Sequence, residues 1–248
     1  MAMSAEKELT HKPLKDEIFD ALHRQIIAGK YSPGDWLRQE EIASQMGVSM
    51  TPVREALDLL VAAGIAERVA YRGVRVREMS IEDIVDAYGL RLILEVLIGR
   101  EAGKHITPPQ IENLEKMLEE MEKHDTLNEM ALARQLAREF HLAVAEASGN
   151  ELLTKLYAIV ANAFPDWLLY EALYRKPEIL SDSMTATQNE HIAIVEALKK
   201  RDGEKAALKS VEHLLESGKW LEEYLNIPGS LLRDKEEQIS ILFKKAGK

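Results

Sequence analysis

The sequence predicts a mostly α-helical protein in two parts: a small part of helices with one β-hairpin, then an all-helical bundle. Apolar residues recur at helical spacing through most of the chain, whereas β-rich segments are confined to residues 65–78. The charge balance also changes, from ten basic and ten acidic side chains in residues 9–78 to 21 basic and 30 acidic ones in residues 79–248. We therefore expect one domain at 9–78, a second at 79–227 and a C-terminal extension at 228–248.

The first two predicted helices are short and amphipathic. Ile18, Leu22 and Ile26 lie on one face of a helix spanning about residues 13–28, and Gly29 is suited to end it. A turn with the sequence YSPGDWL follows, and then a second helix that Gly47 closes.

The third helix and a hairpin complete the first part. Ser49 or Thr51 caps this helix, Pro52 lies in its first turn, and it runs to Gly64. The segments IAERVA and GVRVRE, joined by residues 71–73, are typical of a β-hairpin.

The second part contains no convincing strand from Met79 onward. Its apolar spacing predicts six or seven amphipathic helices. The breaks between helices are predicted at Pro, Gly and polar residues, near positions 107–109, 124–125, 148–150, 176–177, 202–203 and 227–229.

The composition excludes several classes of protein. The chain contains no cysteine, which rules out disulfides and thiolate chemistry. It has no apolar run of about 18 residues or more, and its amino terminus is polar. We therefore expect neither a transmembrane helix nor a secretory signal, and we expect the protein to be cytoplasmic.

The net charge of −10 disfavours nucleic-acid binding at first sight, but the distribution of charge does not. The acidic surplus belongs to the second part. Positions 68–77, RVAYRGVRVR, carry four arginines and no acid. This asymmetry indicates two modules with different partners.

The order helix, turn, helix, hairpin in residues 38–77 suits the recognition of double-stranded DNA. The second helix of such a pair can lie in the major groove with its first residues at base edges. Here that end is SMTPVR, whose hydroxyls suit phosphate oxygens and whose Arg54 can reach phosphate or guanine. Arg72, beside Gly73, can reach the minor groove or the backbone. The alternative is that these residues are ordinary helix caps and a solvated basic loop.

The segment IASQMGVSMTPVREALDLLVAAGIAERVAYRGVRV resembles the winged helix-turn-helix of the GntR family. Four later segments resemble the FCD-type effector domain of the FadR subfamily: YGLRLILEVLIGREA, EFHLAVAEASGN, NEHIAIVEALKKRDGEKA and VEHLL. The resemblance implies a homodimer that binds a short palindromic operator, with an affinity that a small, usually carboxylated metabolite alters. It also implies a set of residues at the DNA, namely Ser49, Thr51, Pro52, Arg54, Arg72 and Gly73.

Two positions depart from the GntR pattern. Members commonly have arginine where this chain has Met50, and some have a basic residue where it has Glu40. Because both positions would supply hydrogen-bond donors to the groove, the operator sequence does not follow from the resemblance.

Three of the seven histidines, His141, His191 and His213, lie in the metal-ligand motifs of FCD domains. Spacing supports two of them independently. His191 and His213 each lie 11 residues from Asp202 in the sequence. In an antiparallel helical hairpin they would therefore face each other at one level, about 16 Å from the turn. The alternative is that each is a satisfied core histidine.

Small residues share the helical faces of these histidines, which predicts a cavity rather than a filled core. Metal-binding FCD domains typically supply an aspartate four residues before the first histidine, but this chain has Ala137 there. Three histidines still suit a divalent ion such as zinc or nickel if water or an effector carboxylate completes the shell.

Arg91 is predicted to point inward, because it shares a helical face with Ile84, Ala87, Leu94 and Ile98. A buried arginine needs a partner. Glu95, one turn further along, and the carboxylate of a bound effector are both candidates. The resemblance favours a place in the effector pocket, since the family has an arginine in this helix.

These features predict a transcription regulator that binds operator DNA, a small organic acid and a second copy of itself. One alternative is a regulator whose effector is the metal ion. Another is a hydrolase with a three-histidine metal site. Against the hydrolase, no H-E-x-x-H, P-loop, G-x-S-x-G or G-x-G-x-x-G motif is present, and Glu190 should point away from the site.

Overall fold

The structure is a computed structural model that describes residues 13–27, 29–124, 129–163 and 180–244. The chain falls into two compact units. One takes in Tyr31–Arg77 with the chain up to Ile26, and the other takes in Ile27–Lys30 with the chain from Glu78 onward.

The first unit has three helices and one antiparallel hairpin, as the sequence predicts. Its elements are α1 (Leu14–Ile27), α2 (Gln39–Met46), α3 (Met50–Ala62), β1 (Ala66–Val69) and β2 (Gly73–Val76). In the hairpin, Ala66 pairs with Val76 and Val69 with Gly73. The core of this unit is aliphatic: Ile18, Leu22, Ile26, Ile42, Val53, Leu57, Leu60 and Ile65 are all buried.

The turn between α2 and α3 depends on Gly47, whose φ of 67° lies in the left-handed region. Two residues later Ser49 is extended and serves as the N-cap of α3. The N-cap is therefore Ser49, which settles the choice between Ser49 and Thr51. The compact turn lets α2 and α3 pack against each other, and Ile42 of α2 and Val53 of α3 are both buried.

The segment before α2 does more than turn the chain. Leu37 N–H donates to Val74 O at 2.9 Å, and Val76 N–H donates to Asp35 O at 2.8 Å. Trp36 forms an isolated antiparallel bridge with Arg75. The predicted turn therefore also pairs with β2 through the backbone of residues 35–37, as a short strand-like segment beside the hairpin. Its Pro33-Gly34 sequence has no local strand pattern, so this pairing arises from tertiary structure.

In the second unit, the described residues form seven helices and no strand, which confirms the predicted all-helical bundle. They are α4 (Ile81–His105), α5 (Pro108–Met121), α6 (Met130–Glu146), α7 (Glu151–Ala163), α8 (Leu180–Lys199), α9 (Gly203–Leu225) and α10 (Gly229–Lys244). Helices end or begin at the predicted breaks near 107–109, 148–150, 202–203 and 227–229. The predicted break at 176–177, and Asp125 of the break at 124–125, lie outside the described residues.

α4 is the central helix of this unit and packs closely on α9. A Cβ on Gly99 would lie 2.4 Å from the backbone nitrogen of Ala207, and one on Gly103 would lie 2.4 Å from the Cα of Gly203. Larger residues would therefore force the two helices apart. This close approach fixes α9, and with it His213, relative to α4.

Helix α10 packs on the first turns of α4. Leu232 and Ile239 are buried in the core that α4 and α9 share. The Tyr88 hydroxyl donates to Glu236 at 2.8 Å, and Lys235 pairs with Asp86 at 2.9 Å. In the ranges that the structure describes, no helix is both long enough and apolar enough to cross a membrane.

Candidate metal centre and nucleic-acid interface

Three helices of the second unit bring their histidines together. His141 on α6, His191 on α8 and His213 on α9 are all buried, and one nitrogen of each lies within 4.8 Å of the others. The two Nε2 atoms of His141 and His191 are 3.2 Å apart. The ring centroids of the three histidines are separated, pair by pair, by 4.7–5.0 Å. The three histidines singled out from the sequence therefore share one site.

This arrangement fits a divalent transition-metal ion. Nitrogens bound at about 2.0–2.1 Å in a tetrahedral shell lie about 3.3 Å apart, close to the separation of the His141 and His191 nitrogens. Burial holds the pKa of both imidazoles well below the usual value, and it lowers the pKa of His213 to about 3. Metal ligation needs the neutral imidazole, so the three rings are in the form that a metal takes.

Glu190 lies behind this cluster, where the sequence interpretation did not expect it. Its Oε2 atom is 2.7 Å from Nδ1 of His213. A carboxylate at that position favours the tautomer with the proton on Nδ1, which leaves the Nε2 lone pair of His213 available. The expectation that Glu190 points away from the site was wrong. The reason is that α9 packs on α8 and brings His213 to the carboxylate of Glu190.

Burial raises the pKa of Glu190 to about 7, and the nearby carboxylates of Glu216 and Glu212 add to this effect, while Lys219 opposes it. Added positive charge at the histidines would favour the ionised carboxylate. The pair of Glu190 and His213 is therefore electrostatically coupled to whatever the three imidazoles bind.

A cavity of about 400 Å³ opens beside the histidines. Ala137 and Ser217, the small residues that flank His141 and His213, lie in its lining. The sequence predicted such a cavity from small residues on the histidine faces. The amino-terminal half of α8, residues 183–190, supplies a further polar wall that the sequence analysis did not identify. The run SMTATQNE was its one available signal, since small polar residues there leave room beside a helix.

Arg91 is buried, and it lies both beside Glu95 and at the wall of the cavity. Its Nε atom lies 3.5 Å from Oε1 of Glu95, and the residue also lines the cavity. Tyr157, which the sequence analysis missed, donates its hydroxyl to the same Glu95 oxygen at 3.1 Å. Burial raises the pKa of Glu95, and Arg91 opposes this effect. The positive charge of Arg91 also helps lower the pKa of all three histidines, so its field reaches the cluster.

In the first unit, the amino-terminal end of α3 is exposed. Ser49, Thr51 and Arg54 are accessible, Pro52 is half-buried, and the Ser49 side chain makes no capping hydrogen bond. Hydroxyl groups and free backbone N–H groups at a helix start are suitable donors to phosphate oxygens. The exposed surface of α3 can therefore meet a nucleic-acid backbone.

We call the hairpin the wing (residues 66–76). Its positive charge is partly balanced by nearby carboxylates, which its sequence alone does not suggest. Arg68 bonds to Asp58, and Arg75 bonds to Glu67 at 2.6 Å. The guanidinium of Arg72 lies over the ring of Trp36, 4.9 Å from the centroid. Gly73 is exposed at the end of the turn. Two of the four arginines in positions 68–77 are thus paired with acids, one on α3 and one on the facing strand of the hairpin.

Comparison with known proteins covers both units. The FCD domain family matches residues 86–216, and the family described as bacterial regulatory proteins, gntR family, matches residues 14–76. An uncharacterised HTH-type transcriptional regulator, YdhC, of Bacillus subtilis (strain 168) is 28% identical over 217 residues, covering 82% of this chain and 93% of that protein. A probable D-xylose utilization operon transcriptional repressor of Paenarthrobacter nicotinovorans is 28% identical over 208 residues, covering 84% and 88%.

A solved structure agrees with these matches at the level of fold. The structure of E. coli McbR/YncC superposes with a TM-score of 0.62 at 22% identity, covering 86% of this chain and 100% of that one. The matched families and relatives are transcription regulators rather than enzymes, which removes the hydrolase alternative. The chain belongs to the GntR family of bacterial transcription regulators and carries an FCD effector domain as its second unit.

Proposed function

We propose that this regulator binds operator DNA through α3 and the wing, and that a small anionic metabolite in the second unit changes its affinity for DNA. The observation that carries the proposal is the cavity of about 400 Å³, on which three buried imidazoles and Arg91 converge. A cavity with a few convergent polar groups is typical of a small-molecule site.

At the DNA, Ser49, Thr51 and the backbone around Pro52 bind phosphate, while Arg54 reaches a base edge or phosphate. Arg72 and Gly73 lie at the neighbouring groove. The exposure of the α3 start and the three-residue turn that begins at Gly47 and sets α3 against α2 support this assignment.

His141, His191 and His213 would hold the divalent ion, with zinc and nickel as the candidates. Such an ion supplies positive charge and open coordination positions for an anionic ligand. The absence of a carboxylate at Ala137, which lines the same cavity, leaves one of those positions to water or to the effector.

We infer that the effector is a small organic acid. Arg91 lines the cavity, and Arg134 and Arg138 on α6 line it too. Because Glu122, Glu190 and Glu216 also line it, the preference for an anion depends on the local field of Arg91 and the metal, not on the total charge. One relative is named for a D-xylose utilization operon, so neutral sugars belong in any screen.

The protein is proposed to act as a homodimer, which suits a palindromic operator. Leu90, Ile93 and Leu97 are exposed on α4 at the spacing of a helix-packing stripe, and this supports an intermolecular contact. Light scattering with size exclusion measures the mass directly, and Leu97→Glu should shift a dimer toward monomer. A monomeric wild type at micromolar concentration contradicts the proposal.

The decisive experiment identifies what the purified protein carries. Elemental analysis and native mass spectrometry should detect about one divalent ion for each chain and an acidic small molecule. The second candidate, a metal-sensing regulator, is favoured by the Glu190 carboxylate held against His213. Operator binding that a chelator alone abolishes, with no organic ligand involved, supports that candidate. Protein that binds neither metal nor acid overturns the proposal for the second unit.

A further inference from the structure

A buried carboxylate lies beside Arg91, the buried cation at the wall of the cavity. The side chain of Glu95 is 3% exposed and that of Arg91 is 10% exposed. Arg91 belongs to the lining of the cavity, whereas Glu95 does not. Glu95 can therefore affect a ligand in the cavity only at a distance, through Arg91 or through its own charge.

The contact between these two charges is loose, and the carboxylate has other donors. Nε of Arg91 lies 3.5 Å from Oε1 of Glu95, whereas charge-assisted N–H···O bonds are about 2.7–2.9 Å long. The hydroxyl of Tyr157, on α7, donates to the same oxygen at 3.1 Å, and Ser210, on α9, also hydrogen-bonds to Glu95. The carboxylate therefore keeps two of its hydrogen bonds if the guanidinium turns toward a ligand.

Burial gives the pair two opposite effects on the cavity. A buried charge needs a partner, so the carboxylate stabilises Arg91 when no anion is bound. The same carboxylate opposes an incoming anion, because it offsets the field of Arg91 and competes for its N–H groups. The two groups are coupled, since Arg91 opposes the rise that burial causes in the pKa of Glu95.

We propose that Glu95 is the internal counter-ion of Arg91, and that it limits the affinity of the cavity for anions by competing with them for the guanidinium. This inference rests on the proposed binding of an anionic metabolite in the cavity. It makes a residue outside the cavity lining a determinant of effector affinity.

The test uses the full-length protein as purified and three anions of different shape: inorganic phosphate, succinate and D-gluconate. Isothermal titration compares wild type with Glu95→Gln, which keeps the shape of the side chain and removes its charge. An anion that binds wild type should bind Glu95→Gln about tenfold more tightly, because the charge of Arg91 is no longer offset.

Two controls separate this effect from a change in the shape of the cavity. Glu101→Gln alters a half-exposed acid that is bonded to Lys104 on the same helix, and it should behave like wild type. Sorbitol, the uncharged counterpart of gluconate, should gain nothing from Glu95→Gln. An equal gain for sorbitol and gluconate overturns the inference.

A thermal melt keeps the test decisive if Glu95→Gln is unstable. The variant leaves a buried cation without its acid, so its melting temperature without added anion should fall below that of wild type. Each anion should then raise the melting temperature of the variant more than that of wild type, because the ligand replaces the missing carboxylate. A variant that stays unfolded at high concentrations of all three anions overturns the inference.

The double variant Arg91→Gln/Glu95→Gln shows which residue the acid acts through. With both charges removed, it should be more stable than Glu95→Gln and should bind anions no better than wild type does. A gain in affinity that persists without Arg91 means that Glu95 repels anions directly, and it overturns the competition for the guanidinium.

The remaining outcomes distinguish this inference from the proposed function. If the anions bind wild type and Glu95→Gln equally, or bind the variant more weakly, the role of Glu95 is structural and the cavity remains an anion site. If none of the three anions binds wild type but they bind Glu95→Gln, the inference is supported. If none of them binds either protein, the proposed anion site and the inference fail together.

Discussion

Oε2 of Glu190 and Nδ1 of His213 lie 2.7 Å apart, which connects a carboxylate of α8 to an imidazole of α9. A carboxylate behind a metal-binding histidine fixes its tautomer and orientation and strengthens it as a ligand. The contact makes Glu190 the candidate positioning residue for a metal at the three-histidine cluster.

We expect Glu190→Gln to lower the affinity for zinc or nickel by about 10- to 100-fold, because the amide keeps the size of the side chain and loses its charge. Isothermal titration of the apo protein measures this loss. Glu196→Gln is the matched control, since Glu196 lies on the same helix and is exposed beside Lys199. Equal affinities of the two variants would show that the carboxylate does not act on the metal.

Ala137→Asp should raise metal affinity. Ala137 lines the cavity one helical turn before His141, so the new carboxylate would lie on the same face as that histidine. The melting temperature with metal present should rise as well, because a ligand that binds only the folded state stabilises it by mass action.

Titration with zinc and nickel compares wild type, Ala137→Asp and His191→Ala, the last of which should lose affinity. The added carboxylate should also weaken the response to the effector by occupying its coordination position. If no form binds metal, the histidines are packing residues and the cavity recognises its ligand without an ion.

Arg54→Ala and Arg72→Ala should each weaken operator binding by about 1–3 kcal/mol if the guanidinium meets a base edge. A phosphate contact would instead reduce the salt slope by about one charge. Anisotropy with selected operator DNA distinguishes the two cases. Arg100→Ala is the control, because Arg100 pairs with Glu204 in the other unit. If Arg54→Ala and Arg72→Ala both keep the wild-type affinity and the wild-type salt dependence of binding, DNA does not bind at α3 and the wing.

Arg91→Lys should reduce the thermal stabilisation by an acidic effector, because lysine keeps the charge but not the planar fork that binds a carboxylate at two points. A thermal-shift screen of carboxylates, sugar acids, neutral sugars and amines identifies the effector first. Arg100→Lys, on the same helix, should respond like wild type.

The coupling between effector and DNA must be reciprocal, so operator DNA should change effector affinity by the same factor. Titration of the effector with and without operator measures that factor. A neutral compound that stabilises the protein and shifts DNA affinity, with every acid inactive, contradicts the assignment of the cavity.

The sequence by itself predicted the two-part fold and singled out the three histidines and Arg91 that line one cavity of the second unit. Apolar spacing and Gly and Pro breaks are local properties, so they located the helices and the hairpin. The equal distances of His191 and His213 from Asp202 placed the two imidazoles at one level, because a helix rises by a constant amount per residue.

Only the tertiary structure decided which groups meet between elements. Glu190 was expected to point away because it adjoins His191, but the packing of α9 on α8 places His213 on that face. The sequence of the wing predicts a basic patch, but in the folded protein its arginines contact Asp58, Glu67 and Trp36. Apart from the cross-strand pair of Arg75 and Glu67, such contacts join different elements, and their geometry depends on how those elements rotate and pack, which local periodicity does not encode.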